Sequence, residues 1–219
     1  MIIAIDGPSG AGKSTVAKLL SNKLNFEYID TGAMYRALAY KAYINNIGIN
    51  ENNVEKINEM LDVTTVEYLD NKIYLDGKNV EDSIRDEIIS IHASKISALS
   101  IVRSKLVELQ RKIAENKNVI LDGRDIGTVV FPNADHKFFV TASVEVRAIR
   151  RYNQLIENNK DIIFENILSD IKKRDEQDSS RKISPLKIAD DAILIDTSDM
   201  SIEETVDKLV DIIGGSNVL

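Results

Sequence analysis

The chain of 219 residues contains no cysteine, two histidines and three prolines. Without cysteine there can be no disulfide, no thiolate nucleophile and no cysteine-ligated zinc. The two histidines, His92 and His136, read as structural or surface residues. Three prolines and no low-complexity stretch leave no sign of a long linker. No apolar run approaches the length of a membrane span. The first apolar strand begins at residue 2, which leaves no room for a cleaved leader and makes the cytoplasm the expected compartment. An excess of positive charge is also missing. The net charge is −7, whereas nucleic acids and anionic membranes both favour basic surfaces. Partners of either kind are therefore not expected. What remains is ordinary for a globular protein, 43% hydrophobic and 29% charged, and long enough for one large domain or one domain with insertions.

Against these absences stands Gly7-Pro8-Ser9-Gly10-Ala11-Gly12-Lys13-Ser14-Thr15, a full match to G-x-x-x-x-G-K-[ST]. Context supports it. Ile2-Ile3-Ala4-Ile5 reads as a buried parallel strand, and Val16, Leu19, Leu20 and Leu24 form an apolar helical stripe. Strand, glycine-rich loop and helix thus come in the order that a phosphate-cradling loop needs. Its backbone N–H groups would surround a phosphate at a helix N-terminus. Lys13 would reach the β and γ phosphates, and the Ser14 hydroxyl would ligate Mg²⁺. A nucleoside triphosphate is the expected ligand.

Further strands are expected at Phe26–Ile29, Val119–Leu121, Lys137–Val140 and Ala192–Ile195, each short, apolar and followed by a polar turn. With the first they predict a five-stranded parallel sheet covered by helices, an α/β doubly wound fold. The last helix opens on a capping box, Ser201 and Glu204, and is expected to stop at Gly214. Two interruptions break the alternation. Residues 33–100 open with a helix from Ala33 to about Ile44. They continue with alternating runs at Val63–Leu69 and Ile73–Leu75 and turns at Asp70-Asn71 and Asp76-Gly77, which predict a small antiparallel element. Residues 146–182 read as helical and hold five of the ten arginines.

Arg147, Arg150 and Arg151 share one helical face, as do Arg174, Asp178 and Arg181 if that helix persists. An arginine face on a movable insertion beside a triphosphate loop suits a lid that neutralises phosphate charge and excludes water. A solvated face, and an ion-pair ladder for the second set, are the plainer alternatives. Two clusters follow strands directly: Asp30-Thr31-Gly32-Ala33-Met34-Tyr35-Arg36 and Asp122-Gly123-Arg124-Asp125. Carboxyl ends of parallel strands line the ligand crevice. Asp122 is placed to hold Mg²⁺ through water. Arg36 and Arg124 are candidates to grip a second phosphate, with pairing to Asp30 or Asp125 as the structural alternative.

Residues 5–15, 30–36, 122–132 (Asp-Gly-Arg-Asp-Ile-Gly-Thr-Val-Val-Phe-Pro) and 174–181 (Arg-Asp-Glu-Gln-Asp-Ser-Ser-Arg) together resemble the bacterial cytidylate kinases, within the phosphate-loop nucleoside monophosphate kinases. The resemblance implies transfer of phosphate from ATP, with Mg²⁺, to CMP or dCMP by a monomer. It implies one kinase domain with a core at 1–32, 101–145 and 183–219, an enlarged monophosphate-binding insertion at 33–100 and a helical lid at 146–182. Residues 7–15 would bind ATP. Arg36 and Arg124 would hold the CMP phosphate. Ser94, Arg103 and Asp178 would read the base, while Thr31, Asp125, Arg174 and Arg181 would complete the monophosphate site. Lys13, Arg124, Arg147 and Arg151 would act on the transferring group, and Arg150 would join the lid. Gln177, Ser179 and Ser180 receive no role. Two rivals remain: a kinase for another small acceptor, and a nucleotide-driven switch. Asn-Lys-x-Asp, a segment typical of a guanine-reading switch, is not found.

Overall fold

A computed structural model describes residues 1–69, 72–156 and 162–215. In chain order the elements are β1 (Ile2–Asp6), α1 (Lys13–Leu24), β2 (Glu27–Asp30), α2 (Thr31–Ile44), α3 (Val54–Asp62), β3 (Val66–Leu69), β4 (Lys72–Leu75), β5 (Lys78–Asn79), α4 (Glu87–Ile96), α5 (Ser100–Ala114), β6 (Val119–Gly123), β7 (His136–Thr141), α6 (Val144–Ile156), α7 (Phe164–Ser179), β8 (Ile193–Asp196) and α8 (Ile202–Gly215). They fall into two compact units, Met1–Tyr28 with Lys117–Leu219, and Ile29–Asn116.

The large sheet runs in the order β2-β6-β1-β7-β8. β1 lies parallel to β6 and to β7, and β7 is parallel to β8. The expected parallel α/β sheet is therefore present. Its register sets Ile5 beside Asp122 and Asp6 beside Gly123, so the carboxyl ends of β1 and β6 emerge together. Ile3, Ile5, Ile120, Phe138, Val140 and Ile195 form the core with Val16, Ala17 and Leu20 of α1 and Val206, Leu209 and Ile213 of α8. These central strands read as unbroken apolar runs because both faces are covered.

Local chemistry sets several boundaries as expected. The capping box of α8 is made: Ser201 Oγ accepts from Glu204 N at 3.1 Å, and Glu204 Oε2 accepts from Ser201 N at 2.8 Å. That helix runs through Gly214 to Gly215 rather than stopping at Gly214. On α1 the buried stripe is Lys13, Val16, Ala17, Leu20 and Ser21, and Leu19 stands 41% exposed. The helical step carries Leu19 off the face that its neighbours share. In β8 only Ile195 enters the core, because an edge strand has cover on one side.

The helical segment expected at 146–182 holds α6 and α7, packed through Ala148, Ile167 and Ile171 with Val144, Tyr152, Leu155, Phe164 and Leu168 around them. Residues 157–161 of that span lie outside the described residues. No described helix is long and apolar enough to cross a membrane.

The second unit contains the expected antiparallel element, β3-β4-β5, with Val66 opposite Leu75 and Tyr68 opposite Ile73. The turn expected at Asp70-Asn71 lies outside the described residues. The turn at Asp76-Gly77 is present, with φ of +50° and +74°, the left-handed pair that a tight hairpin demands. α2 packs against α4 and β4, its buried face built from Ala33, Met34, Ala37, Leu38 and Ala42.

Gln110 on α5 is 1% exposed, and neither its Nε2 nor its Oε1 has a hydrogen-bond partner among the described residues. A buried unpaired amide costs about 1–3 kcal/mol. Gln110→Met keeps an unbranched side chain of similar volume and removes both polar atoms. It should raise the melting temperature by about 2–4 °C for a protein of this size, read by calorimetry. A lower melting temperature would show that Gln110 is satisfied in solution.

Candidate active site

β1 delivers the chain into the glycine-rich loop at the carboxyl edge of the sheet. Gly7 has φ +149°, and a Cβ there would fall 1.9 Å from the Val140 carbonyl oxygen. No side chain fits at that position. α1 begins at Lys13 with Gly12 as its N-cap and no side-chain cap hydrogen bond. Its first N–H groups are thus left for an anion, and the helix dipole favours one.

Lys13 is buried, and its Nζ donates to the Pro8 carbonyl at 2.7 Å. Burial, followed by the charge of Arg124, brings its pKa from 10.5 down to about 7, against the opposing pull of Asp122, Asp6 and Asp178. An arriving phosphate would favour the charged ammonium. Beside it Ser14 Oγ donates to Asp122 Oδ2 at 2.8 Å, and Tyr28 donates its hydroxyl to Asp122 Oδ1 at 2.7 Å. Hydroxyl and carboxylate therefore face each other at the start of α1. That donor set fits Mg²⁺, which keeps several waters and takes phosphate oxygens in place of a full protein cage. No group of three or more His, Cys, Asp or Glu side chains able to hold a metal occurs among the described residues.

Asp6, the last residue of β1, escaped the motif reading. It is buried, and its Oδ1 and Oδ2 accept from Ile126 N at 2.8 Å and Gly127 N at 2.7 Å. Those two N–H groups begin a π-helical turn, Ile126–Val130, directly after Arg124-Asp125. Such turns are frequent at functional sites. Asp6 thus ties the segment carrying Arg124 and Asp125 to the strand that carries the phosphate loop. Burial raises its pKa to about 6, offset in part by the two backbone bonds, with Asp125 raising it and Lys13 lowering it. The one available signal was an acidic residue closing an apolar strand immediately before Gly7. Tyr28, the other residue missed, carries no comparable mark.

Asp178 is 1% exposed and clasped between arginines. Arg124 Nε donates to its Oδ2 at 2.8 Å, and Arg181 Nη2 donates to its Oδ1. Burial would push its pKa up, but Arg124, Arg181 and Arg174 together hold it below the usual carboxylate range. α7 ends at Ser179, so Arg181 reaches Asp178 from beyond the helix. Leu186 N closes the return by donating to the Asp178 backbone carbonyl at 2.8 Å. The arginines of α6 have different surroundings. Arg147 is buried and donates to Ser9 O in the phosphate loop at 3.0 Å. Arg150 donates to the Thr197 carbonyl at 2.7 Å. Arg151 is half-buried.

Four expected site residues lie in the second unit. Thr31 opens α2 behind Asp30, whose Oδ1 caps Ala33 N at 2.8 Å. Arg36 Nη2 donates to Asp30 Oδ2 at 3.1 Å, the pairing foreseen as the structural alternative. Arg103 is buried, donates to Ser97 O at 3.0 Å and stands 5.4 Å from the Tyr35 ring centroid. Ser94 accepts through its backbone carbonyl from Ser97 Oγ at 2.9 Å.

Asp6 binds its proton more tightly in the folded chain, near pH 6, than at its ordinary 3.8. The stability it contributes is therefore full below the unfolded value and lost as pH rises through 6. Asp6→Asn removes this titration. Between pH 4 and pH 7 the stability gap should move toward the variant by about 1–3 kcal/mol, measured by urea unfolding. Parallel curves for the two proteins would contradict the assignment.

Comparison with known proteins agrees with this geometry. The family model described as Cytidylate kinase matches residues 3–214. The cytidylate kinase of Clostridium botulinum (strain Loch Maree / Type A3) is 50% identical over 211 residues, covering 96% of each chain. That of Caldanaerobacter subterraneus subsp. tengcongensis is 51% identical over 211 residues, covering 96% of this chain and 93% of its own. That of Fusobacterium nucleatum subsp. nucleatum is 49% identical over 206 residues, covering 94% of both. A match of this depth along almost the whole sequence admits one conclusion: the chain belongs to the cytidylate kinase family.

Proposed function

We propose that the chain transfers the γ-phosphoryl group of ATP to CMP or dCMP. The observation that carries this reading is the convergence of Lys13, Ser14 and Asp122 at the phosphate loop with Arg124, Asp178 and Arg181 in the same unit, in a member of this family. The acceptor is a phosphate oxygen, already anionic near neutral pH, so the reaction needs no general base. Its difficulty is to bring two mutually repelling phosphates into line.

Residues 7–15 bind the donor, with Lys13 following charge toward the β–γ bridge. Bound Mg²⁺, held by Ser14 and through water by Asp122, would neutralise phosphate charge. Arg124 grips the acceptor phosphate, and Arg147 and Arg151 assist transfer. In the first unit Asp125, Arg174, Asp178 and Arg181 serve CMP. In the second, Thr31, Arg36, Ser94 and Arg103 do so. Residues 33–100 act as the monophosphate-binding insertion and 146–182 as the lid. The protein works as a cytoplasmic monomer.

Lys13→Ala tests the donor side. The variant should keep its circular dichroism spectrum and lose about a hundredfold or more of kcat in a coupled assay with ATP and CMP, because the interaction strengthens in the transition state. Activity near wild type would exclude this loop as the donor site.

Asp178 tests the acceptor side. Its carboxylate has lone pairs beyond the two that the arginines use, and it can accept from the exocyclic amino group of cytosine where uracil offers a carbonyl. Asp178→Ala should lower kcat/KM for CMP about ten- to a hundredfold more than for UMP. Equal losses for both would make Asp178 a support for Arg124 and Arg181 instead.

A further inference from the structure

Arg147 does more than approach the phosphate loop. Its Nε donates to Ala142 O at 3.0 Å, just past the end of β7. Its Nη1 donates to Ser9 O at 3.0 Å, and its Nη2 to Asp175 Oδ2 on α7 at 2.6 Å. One planar cation therefore joins a strand end, the phosphate loop and a helix of the expected lid. The rigid fork of the guanidinium fixes all three directions at once, as an ammonium could not. The loop is also seated on the stem of this arginine: a Cβ on Gly10 would lie 3.2 Å from Arg147 Cβ. The ion pair is well shielded, with the Arg147 side chain 4% and the Asp175 side chain 22% exposed. Asp175 Oδ1 is buried and has no hydrogen-bond partner among the described residues, so Arg147 is the partner that the structure records for this carboxylate. Asp175 sits between Arg174 and Asp178 on α7.

We propose that Asp175 is a positioning residue for phosphoryl transfer: through Arg147 it ties α7 to the Ser9 carbonyl, so that filling the phosphate loop orders the helix that carries Arg174 and Asp178. This rests on the reading of residues 7–15 as the donor site. A buried charge pair suits the task because breaking one partner leaves the other uncompensated, which makes the link stiff. Coupling of this kind is a difference between states, and it is measured by what one segment does when the other is filled.

The test is hydrogen exchange of the full chain with and without Mg²⁺ and the non-hydrolysable analogue AMP-PNP, on wild type and Asp175→Asn. In wild type the analogue should slow exchange both in residues 7–16 and in 164–179. In the variant the loop should still be protected, while the response of 164–179 is lost. Steady-state kinetics should show kcat falling about tenfold with KM for ATP changed by less than about threefold, the split expected when a ground-state contact to ATP is kept. If Asp175→Asn does not fold, Asp175→Ser serves for the same comparison. Equal protection of 164–179 in wild type and variant overturns the proposal, as does a wild-type helix that ignores the analogue while the loop responds. Absence of protection in the wild-type loop overturns the donor-site reading and the proposal with it.

Discussion

The carboxyl end of the central sheet depends on one constraint, that a lysine must stay buried at the start of α1. Lys13 is held by the Pro8 carbonyl, and its surroundings bring its pKa to about 7. Around it stand Asp6, Asp122 and Asp178 with Arg124, none of them far from burial. In a medium of low dielectric each such charge requires a partner. The chain supplies provisional ones: a carbonyl for Lys13, Asp178 for Arg124 and Arg181, two backbone N–H groups for Asp6. Phosphate oxygens are better partners for the cations than a carbonyl is, so on the proposed function substrate binding would exchange one satisfied network for another. Catalysis by positioning and preorganised charge would then follow from that arrangement.

The sheet explains why these groups meet. Parallel pairing of β1 with β6 sets Asp6 beside Gly123 and Ile5 beside Asp122, so two loops that start 117 residues apart in sequence leave from adjacent points. Asp6 then bonds the second loop to the first, and Tyr28 and Ser14 fix both oxygens of Asp122. The scarcity of histidine costs nothing here, since an anionic acceptor makes a base unnecessary.

Much of this was legible in the sequence because it is written locally. The phosphate loop needs glycines at fixed steps, the α8 capping box needs Ser201 and Glu204 three residues apart, and Asp76-Gly77 announces its own turn. Buried strands are legible as apolar runs. The edge strand β8 was read as more buried than it is, since composition does not tell an edge from a centre. Leu19 shows the same limit on a helix, where an apolar residue beside the stripe looks like part of it. Long-range partnerships left no local mark. Asp6 meets residues 126 and 127, and Arg147 meets Asp175 and Ser9, through tertiary packing alone. The spacing of the three arginines of α6 likewise does not tell that Arg147 donates to the Ser9 carbonyl and Arg150 to that of Thr197.

On the proposed function, this site passes a phosphoryl group to an acceptor while keeping water out. The most direct measurement is the ratio of CDP formed to ADP formed by the purified chain with Mg²⁺, ATP and CMP, followed by chromatography, with a parallel reaction lacking CMP. The expected result is one CDP for each ADP, and ADP release slower by about two orders of magnitude or more when CMP is left out. Release of ADP at the same rate with and without CMP, with no CDP formed, would contradict it and make the chain a nucleotide hydrolase rather than a kinase.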